Sequence, residues 1–399
     1  MTQDDQQVSD ASREARPELS IVIPCLNEAE TIGTCIEKAS SALRDNGISG
    51  EIVVADNGST DGSQAIAREL GARIVIASER GYGSALMAGI AAARGEHVLM
   101  GDADDSYDFG EAPRFLEKLR EGYDLVQGCR LESGGGTILP GAMPFLHRWL
   151  GNPLFSRLAR RWFRVPIRDI HCGLRAFRTN LIREINLRCT GMEFASEMII
   201  KATLRGARIG EIPITLRRDG RVSRSRHLRT FRDGWRHLRF FLLFSPRRLF
   251  LIPGELLILL GLAGYAVAMP RLSLGGATFD VNTLLFASLA IICGYQSILF
   301  AVFTKVFAIT EGMLPQDPRM SRLFVLFDLE KGLLAGALMM LIGLGLLMAA
   351  VNQWRVAGFG PLRYEQTMRW VIPGVTLTAL GFQTILSSFF LSILGMRRR

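Results

Sequence analysis

The chain has 399 residues, 48% hydrophobic and 21% charged, with 47 Lys and Arg against 38 Asp and Glu and a formal net charge of +9. That length allows more than one domain, and the apolar residues crowd into the last third, which excludes a uniformly soluble globule. Six cysteines (Cys25, Cys35, Cys129, Cys172, Cys189, Cys293) show no paired metal-ligand spacing and stay reduced in a cytoplasmic domain, so no chemistry is assigned to them.

Residues 1–17 have neither an apolar stretch nor a small-residue cleavage site, and are expected to form a disordered tail rather than a signal peptide. A short apolar strand, Leu19 to Ile23, is followed by a turn and a helix with Ile32, Cys35, Ile36 and Ala39 at helical spacing. "EIVVADNGSTDGSQAIAREL", "ARIVIASERGYGSALMAGIAAARG" and "EHVLMGDADDSYDFGEAPRFLEKL" repeat that plan, and "YDLVQGCR" supplies a fifth strand. Strand, polar turn and helix in succession predict an α/β fold with a mainly parallel sheet, in which ligands bind beyond the carboxyl ends of the strands. "GYGSAL" lacks the third glycine of a dinucleotide fingerprint, and no phosphate-binding P-loop is present. Four carboxylates (Asp102, Asp104, Asp105, Asp108) follow the strand His97 to Met100 in an otherwise basic protein; Asp108 and Asp105 can cap the next helix.

"IPCLNEAETI", "VVADNGSTDGS" and "DADD" together resemble the family 2 glycosyltransferases of GT-A fold, although Asn57 stands where that family often has a second Asp. "DIHCGLRAFR", "GMEFASEMIIKATLRGARIGEIPI" and "RRDGRVSRSR" resemble the polyprenyl-phosphate (dolichyl-phosphate) hexose synthases in particular. The resemblance covers about residues 18–245 and implies an inverting hexosyl transfer from a nucleotide sugar to a polyprenyl phosphate. UDP-glucose is the first choice of donor and GDP-mannose the alternative. It also implies a divalent ion at Asp102 and Asp104, which are spaced like the family's D-x-D; hard carboxylate oxygens suit Mg2+ or Mn2+. Pro24, Asn27, Glu28 and Asp56 fall in the implied donor pocket with Asp102, and Arg130 matches the Arg of the family's G-S-R as a phosphate ligand. Asp104, Asp169 and Glu197 are the carboxylates expected nearest the reacting sugar. Arg218, Arg221 and Arg224 are expected to hold the acceptor phosphate, since guanidinium groups suit phosphate oxygens.

Leu228, Phe231, Trp235, Leu238 and Phe241 recur at helical spacing among Arg226, Arg229, Arg232, Arg236 and Arg239. That pattern predicts an interfacial helix with its apolar face in the acyl boundary and arginines on headgroups. Membrane lipid, not nucleic acid, is the expected partner of the basic surplus, and homo-oligomerisation is left open. The runs Leu249 to Met269, Thr283 to Ile309, Gly332 to Val351 and Val371 to Leu394 are each long enough to span a bilayer. The expected organisation is a tail (1–17), a catalytic domain (18–224), interfacial helices (225–248) and a four-helix membrane domain (249–399). Eleven Arg in residues 217–248, with Arg319, Arg322, Lys331 and Arg397 to Arg399, put the catalytic domain and both termini in the cytoplasm, at the cell (inner) membrane.

"QTMRW" (366–370) fits the Q-x-x-R-W signature of processive polysaccharide synthases, but this topology puts it on the outer face. A non-enzymatic transport or sensor protein is the remaining rival, and the intact acidic motif argues against it.

Overall fold

A computed structural model describes residues 16–222, 230–311, 314 and 329–395. The chain divides into two compact units, Met1–Phe241 and Leu242–Arg399.

The first unit is built on a seven-stranded sheet. In chain order its strands are β1 (Leu19–Cys25), β2 (Gly50–Asp56), β3 (Arg73–Ile76), β4 (His97–Met100), β5 (Leu125–Cys129), β7 (Arg175–Arg178) and β8 (Ile209–Pro213), while β6 (Thr137–Ile138) and β9 (Thr215–Leu216) pair separately. The spatial order is β3-β2-β1-β4-β7-β5-β8. All pairings are parallel except those of β7, which runs antiparallel to both β4 and β5. Every residue of β1 and β4 is buried, as expected of central strands covered on both faces, and apart from Ser20 and His97 their sequences are apolar. Pro24 comes after Val22, the last β1 residue paired with β4, so this proline occupies a stretch with a single ladder neighbour.

The helices cover the sheet by the expected periodicity. In α1 (Ile32–Asp45) the buried residues are Ile32, Cys35, Ile36, Ala39, Ala42 and Leu43, one helical stripe. The unit also contains α2 (Ser63–Glu69), α3 (Tyr82–Ala92), α4 (Ala112–Arg120), α5 (Asn152–Phe163), α6 (Thr179–Ile185) and α7 (Phe194–Leu204). Helix α3 lies flat on the sheet because Gly89 has no side chain: a Cβ there would come within 2.6 Å of Val22 Cγ1.

In helix α8 (Thr230–Leu243) one residue expected at the acyl boundary is turned inward. Phe241 is fully buried, ring against ring with Phe155, Trp162 and Phe163 of α5, so it serves an aromatic cluster rather than the acyl boundary. Trp235 remains exposed. Arg224, Arg226, Leu228 and Arg229, and the side chains of Phe231 and Arg232, lie outside the described residues.

The second unit contains α9 (Ile252–Ala268), α10 (Val281–Thr310), α11 (Leu329–Val356) and α12 (Tyr364–Gly395). With the wide turn that precedes α9, these make four helices long and apolar enough to cross a membrane. Small residues set the close approaches: Gly254 faces Gly294 between α9 and α10, and Gly336 faces Gly381 between α11 and α12. The last helix begins earlier than its apolar run, so Gln366 to Trp370 sit in its first turns and not in a loop. Arg369 donates to Asp280 Oδ1 at 2.5 Å and to the carbonyl of Ala268 at 3.0 Å. The guanidinium of the Q-x-x-R-W match is thus spent on closing one end of the bundle.

Candidate active site

The polar turns at the carboxyl ends of β1, β2 and β4 come together. Asn27, in the left-handed region at φ 58, accepts from the Thr60 amide (2.7 Å) and joins the first turn to the second. Asp56 is fully buried, accepting from the amides of Gly58 (2.9 Å) and Ser59 (3.1 Å) and from Gln64 Nε2 (2.8 Å). It therefore builds its own turn and does not present a carboxylate to the cleft. Asn57, where the resembling family often has Asp, uses both ends of its amide: Nδ2 donates to the Glu79 carbonyl and Oδ1 accepts from the Gly81 amide, each at 2.8 Å. An aspartate could only accept, which makes this departure from the family pattern a structural requirement of the neighbouring turn.

Asp102 and Asp104 sit just past β4. Asp102 Oδ1 accepts a 2.7 Å bond from the Tyr82 hydroxyl at the start of α3. Its other oxygen lies against Gly173, where a Cβ would approach to 2.6 Å. Burial first, then the neighbouring Asp104, push the Asp102 carboxyl up to about 6; Tyr82, Arg130 and Arg175 pull the other way. Asp104 Oδ1 accepts from the Ser106 hydroxyl (2.6 Å) and amide (3.1 Å), while Oδ2 faces Arg221 Nη2 at 3.2 Å. Of the other two acidic residues, Asp108 caps the following turn through the Gly110 amide, whereas Asp105 pairs with Lys38 at 2.6 Å.

Glu28 lies beside this pair. It is buried, 3.1 Å from Arg221 Nε, and burial pushes its carboxyl up to about 7 against the pull of that guanidinium. Arg221, expected among acceptor ligands, is therefore in contact with donor-side carboxylates. Arg218 is elsewhere: its Nε donates to the Pro140 carbonyl at 2.5 Å, and it lines a recess of about 550 Å³ with Asp108, Glu111, Leu139, Thr215 and Arg217.

Three further sequence-selected residues are brought to structural positions. Arg130 and Asp169 form a buried two-pronged pair, Nε to Oδ2 at 2.7 Å and Nη2 to Oδ1 at 2.9 Å, with Nη1 on the Tyr107 hydroxyl at 3.3 Å. Both carboxylate oxygens are used, and Asp169 has no exposed surface. Glu197 is likewise buried, accepting from the Arg188 and Cys189 amides (3.0 and 2.8 Å) and pairing with Lys201 at 2.7 Å. Asp169 and Glu197 are thus engaged with protein partners, and Arg130 has a carboxylate partner in Asp169. Glu197 acts at one remove: it holds the 188–190 loop, whose Thr190 carbonyl accepts from the amides of Gly83 (2.9 Å) and Ser84 (3.2 Å) in the first turn of the helix that carries Tyr82.

Sequence reasoning passed over Tyr82, Tyr107 and Arg175. The last is a fully buried cation on β7, held by the carbonyls of Ala195 (2.8 Å) and Cys172 (2.6 Å). A tyrosine between two glycines, Gly81 and Gly83, was the signal available for Tyr82.

Hard oxygen donors on a turn at a strand end fit a divalent cation. Among the described residues no group of three or more His, Cys, Asp or Glu forms a complete protein cage. Two carboxylates, with other positions left to phosphate and water, are the usual protein share for Mg2+. Each of the two has one oxygen pinned by a hydroxyl donor, and a guanidinium already lies against Asp104, so the electrostatics favour positive charge there.

A mainly parallel sheet carrying an acidic turn on β4, with four helices among the described residues long and apolar enough to span a bilayer, is the arrangement of a membrane-bound GT-A-type transferase. Residues 20–185 match glycosyl transferase family 2, and residues 302–395 match the glycosyltransferase family 2 C-terminal transmembrane region. The low-salt glycan biosynthesis hexosyltransferase Agl6 of Haloferax volcanii is 37% identical over 394 residues, covering 98% of this chain and 92% of that one. A dolichyl-phosphate hexose transferase of the same organism is 34% identical over 201 residues, 50% of this chain and 83% of its own. Among solved structures, glucosyl-3-phosphoglycerate synthase of Mycobacterium tuberculosis with Mn2+ and UDP-glucose gives a TM-score of 0.45 at 23% identity, covering 61% of this chain and 82% of that one. The chain belongs to glycosyltransferase family 2. It is a multi-pass membrane hexosyltransferase related to dolichyl-phosphate hexose transferases.

Proposed function

We propose that this enzyme transfers glucose from UDP-glucose to a polyprenyl phosphate at the cytoplasmic membrane face, with inversion at the anomeric carbon. The observation that carries the reading is the pair Asp102 and Asp104 at the end of β4, each with one oxygen pinned by a hydroxyl donor, beside the arginine-bearing segment 217–222. A Mg2+ or Mn2+ ion bound there supplies Lewis-acid neutralisation of the departing diphosphate. The protein residues do the rest. Tyr82 and Ser106 orient the two carboxylates, the turns joined by Asn27 and Asn57 frame the nucleotide, and Arg221 offers a guanidinium group to phosphate oxygens.

No strong general base is needed, because a phosphomonoester with a second pKa near 6 is already largely dianionic at neutral pH. Catalysis then rests on positioning and charge stabilisation. The likeness to a dolichyl-phosphate hexose transferase supports the acceptor class. A membrane-surface setting is supported by the four apolar helices and by the exposed Phe145, Trp149, Leu150 and Trp235 in the first unit. The arginine surplus of residues 217–248 supports the cytoplasmic orientation. Membranes containing the enzyme, incubated with a panel of nucleotide sugars and polyprenyl phosphate, should yield a hexosyl-phosphoprenol by mass spectrometry of the lipid extract. Product from GDP-mannose alone would change the donor, and hexose on lipid without phosphate would overturn the acceptor.

A further inference from the structure

Two arginines lie near the acidic turn, and they are held in opposite ways. Arg130 meets Asp169 through two hydrogen bonds of 2.7 and 2.9 Å and places its third nitrogen on Tyr107. Arg221 touches three carboxylates, Glu28 at 3.1 Å and Asp104 and Asp219 at 3.2 Å each, with its side chain 11% exposed. Only one of those approaches, Nη2 to Asp104, is a hydrogen bond between side chains; Nε and Nη1 are buried without one. The first arginine is locked by geometry, and the second is held mainly by charge.

We infer that Arg221 is a built-in counter-cation that competes with the divalent ion for Asp104. The inference rests on the proposed role of Asp102 and Asp104 as cation ligands. Several features support exchange rather than a permanent pair. One guanidinium charge is set against the Asp104 and Asp219 carboxylates, with Glu28 beside them, so the locus keeps a negative excess that a doubly charged ion answers better. A hard divalent ion also approaches carboxylate oxygen to about 2.1 Å, well inside the 3.2 Å of Arg221 to Asp104, and Coulomb attraction rises as separation falls.

The backbone need not move for the exchange. Arg217 N donates to the Ser106 carbonyl and Gly220 N to the Asp104 carbonyl, both at 2.9 Å, and Val222 N donates to Glu30 at 2.6 Å. The segment therefore stays fastened to the acidic turn while the long side chain swings out. A guanidinium displaced in this way remains tethered within one side-chain length of the cation, where phosphate oxygens would be. While it is seated it cannot bind them. Loading of the metal and donor thus has to come before Arg221 can serve a phosphate group, which imposes an order on the two substrates.

The test is Mn2+ binding to the full-length, detergent-solubilised protein without nucleotide, measured from the electron paramagnetic resonance signal of free Mn2+. If Arg221 is paired with Asp104 about nine-tenths of the time, removing its charge should tighten Mn2+ binding about tenfold. Arg221→Gln should show that gain and Arg221→Lys, which keeps a cation, should stay near wild type. Arg221→Met, which keeps the apolar stem, repeats the measurement if the Gln variant misfolds. Equal or weaker binding by the Gln and Met variants overturns the inference, as does a Lys variant that behaves like Gln. Absence of Mn2+ binding in every protein, with Asp104→Asn no different from wild type, removes the cation reading itself and the inference with it.

Discussion

The Tyr82 hydroxyl donates a 2.7 Å hydrogen bond to Oδ1 of Asp102, tying the first residue of α3 to the acidic turn at the end of β4. A carboxylate with one oxygen fixed offers the other in a defined direction. Tyr82→Phe keeps the ring and removes only that donor, so the fold should persist while Mn2+ affinity and turnover fall by about 10–100-fold, the usual cost of losing an outer-shell contact. Mn2+ titration alongside thermal unfolding checks this. Unchanged affinity with unchanged stability would detach Tyr82 from the site.

Asp104 should behave differently from Tyr82 in degree. Asp104→Asn loses a direct ligand in the proposed site, so transfer should fall by more than the roughly 10–100-fold of an outer-shell change, and chelator should abolish wild-type activity. The midpoint of thermal unfolding should barely move, because this half-buried turn residue contributes little to the core. Full activity in chelator would refute the metal assignment.

For Arg130 and Asp169 the prediction is about stability first. Breaking a buried pair leaves an uncompensated charge, at a cost of about 3–5 kcal/mol, whereas an apolar replacement of both can be nearly neutral. Asp169→Asn and Arg130→Ala should each lower the unfolding midpoint sharply. The double variant Arg130→Met/Asp169→Leu should recover much of the loss, a non-additivity expected only of contacting residues. Additive losses would mean that the two act separately and would return Asp169 to the candidates for direct contact with substrate.

A pH effect follows from His171, which burial and the neighbouring His237, ring centroids 4.3 Å apart, hold well below the usual histidine range. The folded protein keeps His171 neutral while the unfolded chain protonates it near pH 6.5, so the unfolded state binds more protons and stability falls as pH drops below about 6.5. Glu28 and Asp102, raised to about 7 and about 6, act with the opposite sign, since the folded state binds their protons more readily. The difference between wild type and His171→Asn isolates the histidine: the variant should lose less stability between pH 7 and 5 in chemical denaturation. Parallel curves would show that His171 titrates alike in both states.

What the sequence makes legible is what local pattern encodes. Apolar runs ending in polar turns locate β1, β2, β4 and β5, and alternate acidic positions after β4 pick out Asp102 and Asp104. Bare composition locates the four apolar helices. Pairings between distant residues are not encoded locally. Nothing near Asp169 announces that Arg130, 39 positions away, uses both its oxygens, and nothing near Arg221 announces Asp104, 117 positions away. The antiparallel entry of β7 between β4 and β5 is of the same kind. Phe241 has the spacing of a lipid-facing residue, and only the presence of α5 beside it decides that it turns inward.

The last prediction concerns the bundle end built by Arg369. Its bonds to Asp280 and to the Ala268 carbonyl, with the ion pair between Arg271 and Glu365, fasten the 271–280 loop to the first turns of α12. These two segments therefore have to lie on one side of the membrane, whichever side that is. The arginine-rich stretch of residues 217–248 favours the outer side for them, by the positive-inside rule. With Cys189 and Cys293 changed to Ser, which leaves only the four buried native cysteines, cysteines placed at Ser273 and Gln366 should both be labelled by an impermeant thiol reagent in intact cells. Labelling of one without the other is incompatible with this bundle. Labelling of both only from the cytoplasm would invert the orientation, yet would not by itself make "QTMRW" a polymerase motif, because Arg369 would still be bound to Asp280. That reading needs Arg369→Ala to abolish sugar transfer while leaving the unfolding midpoint unchanged; the expected outcome is the reverse, a lowered midpoint with transfer per folded molecule retained.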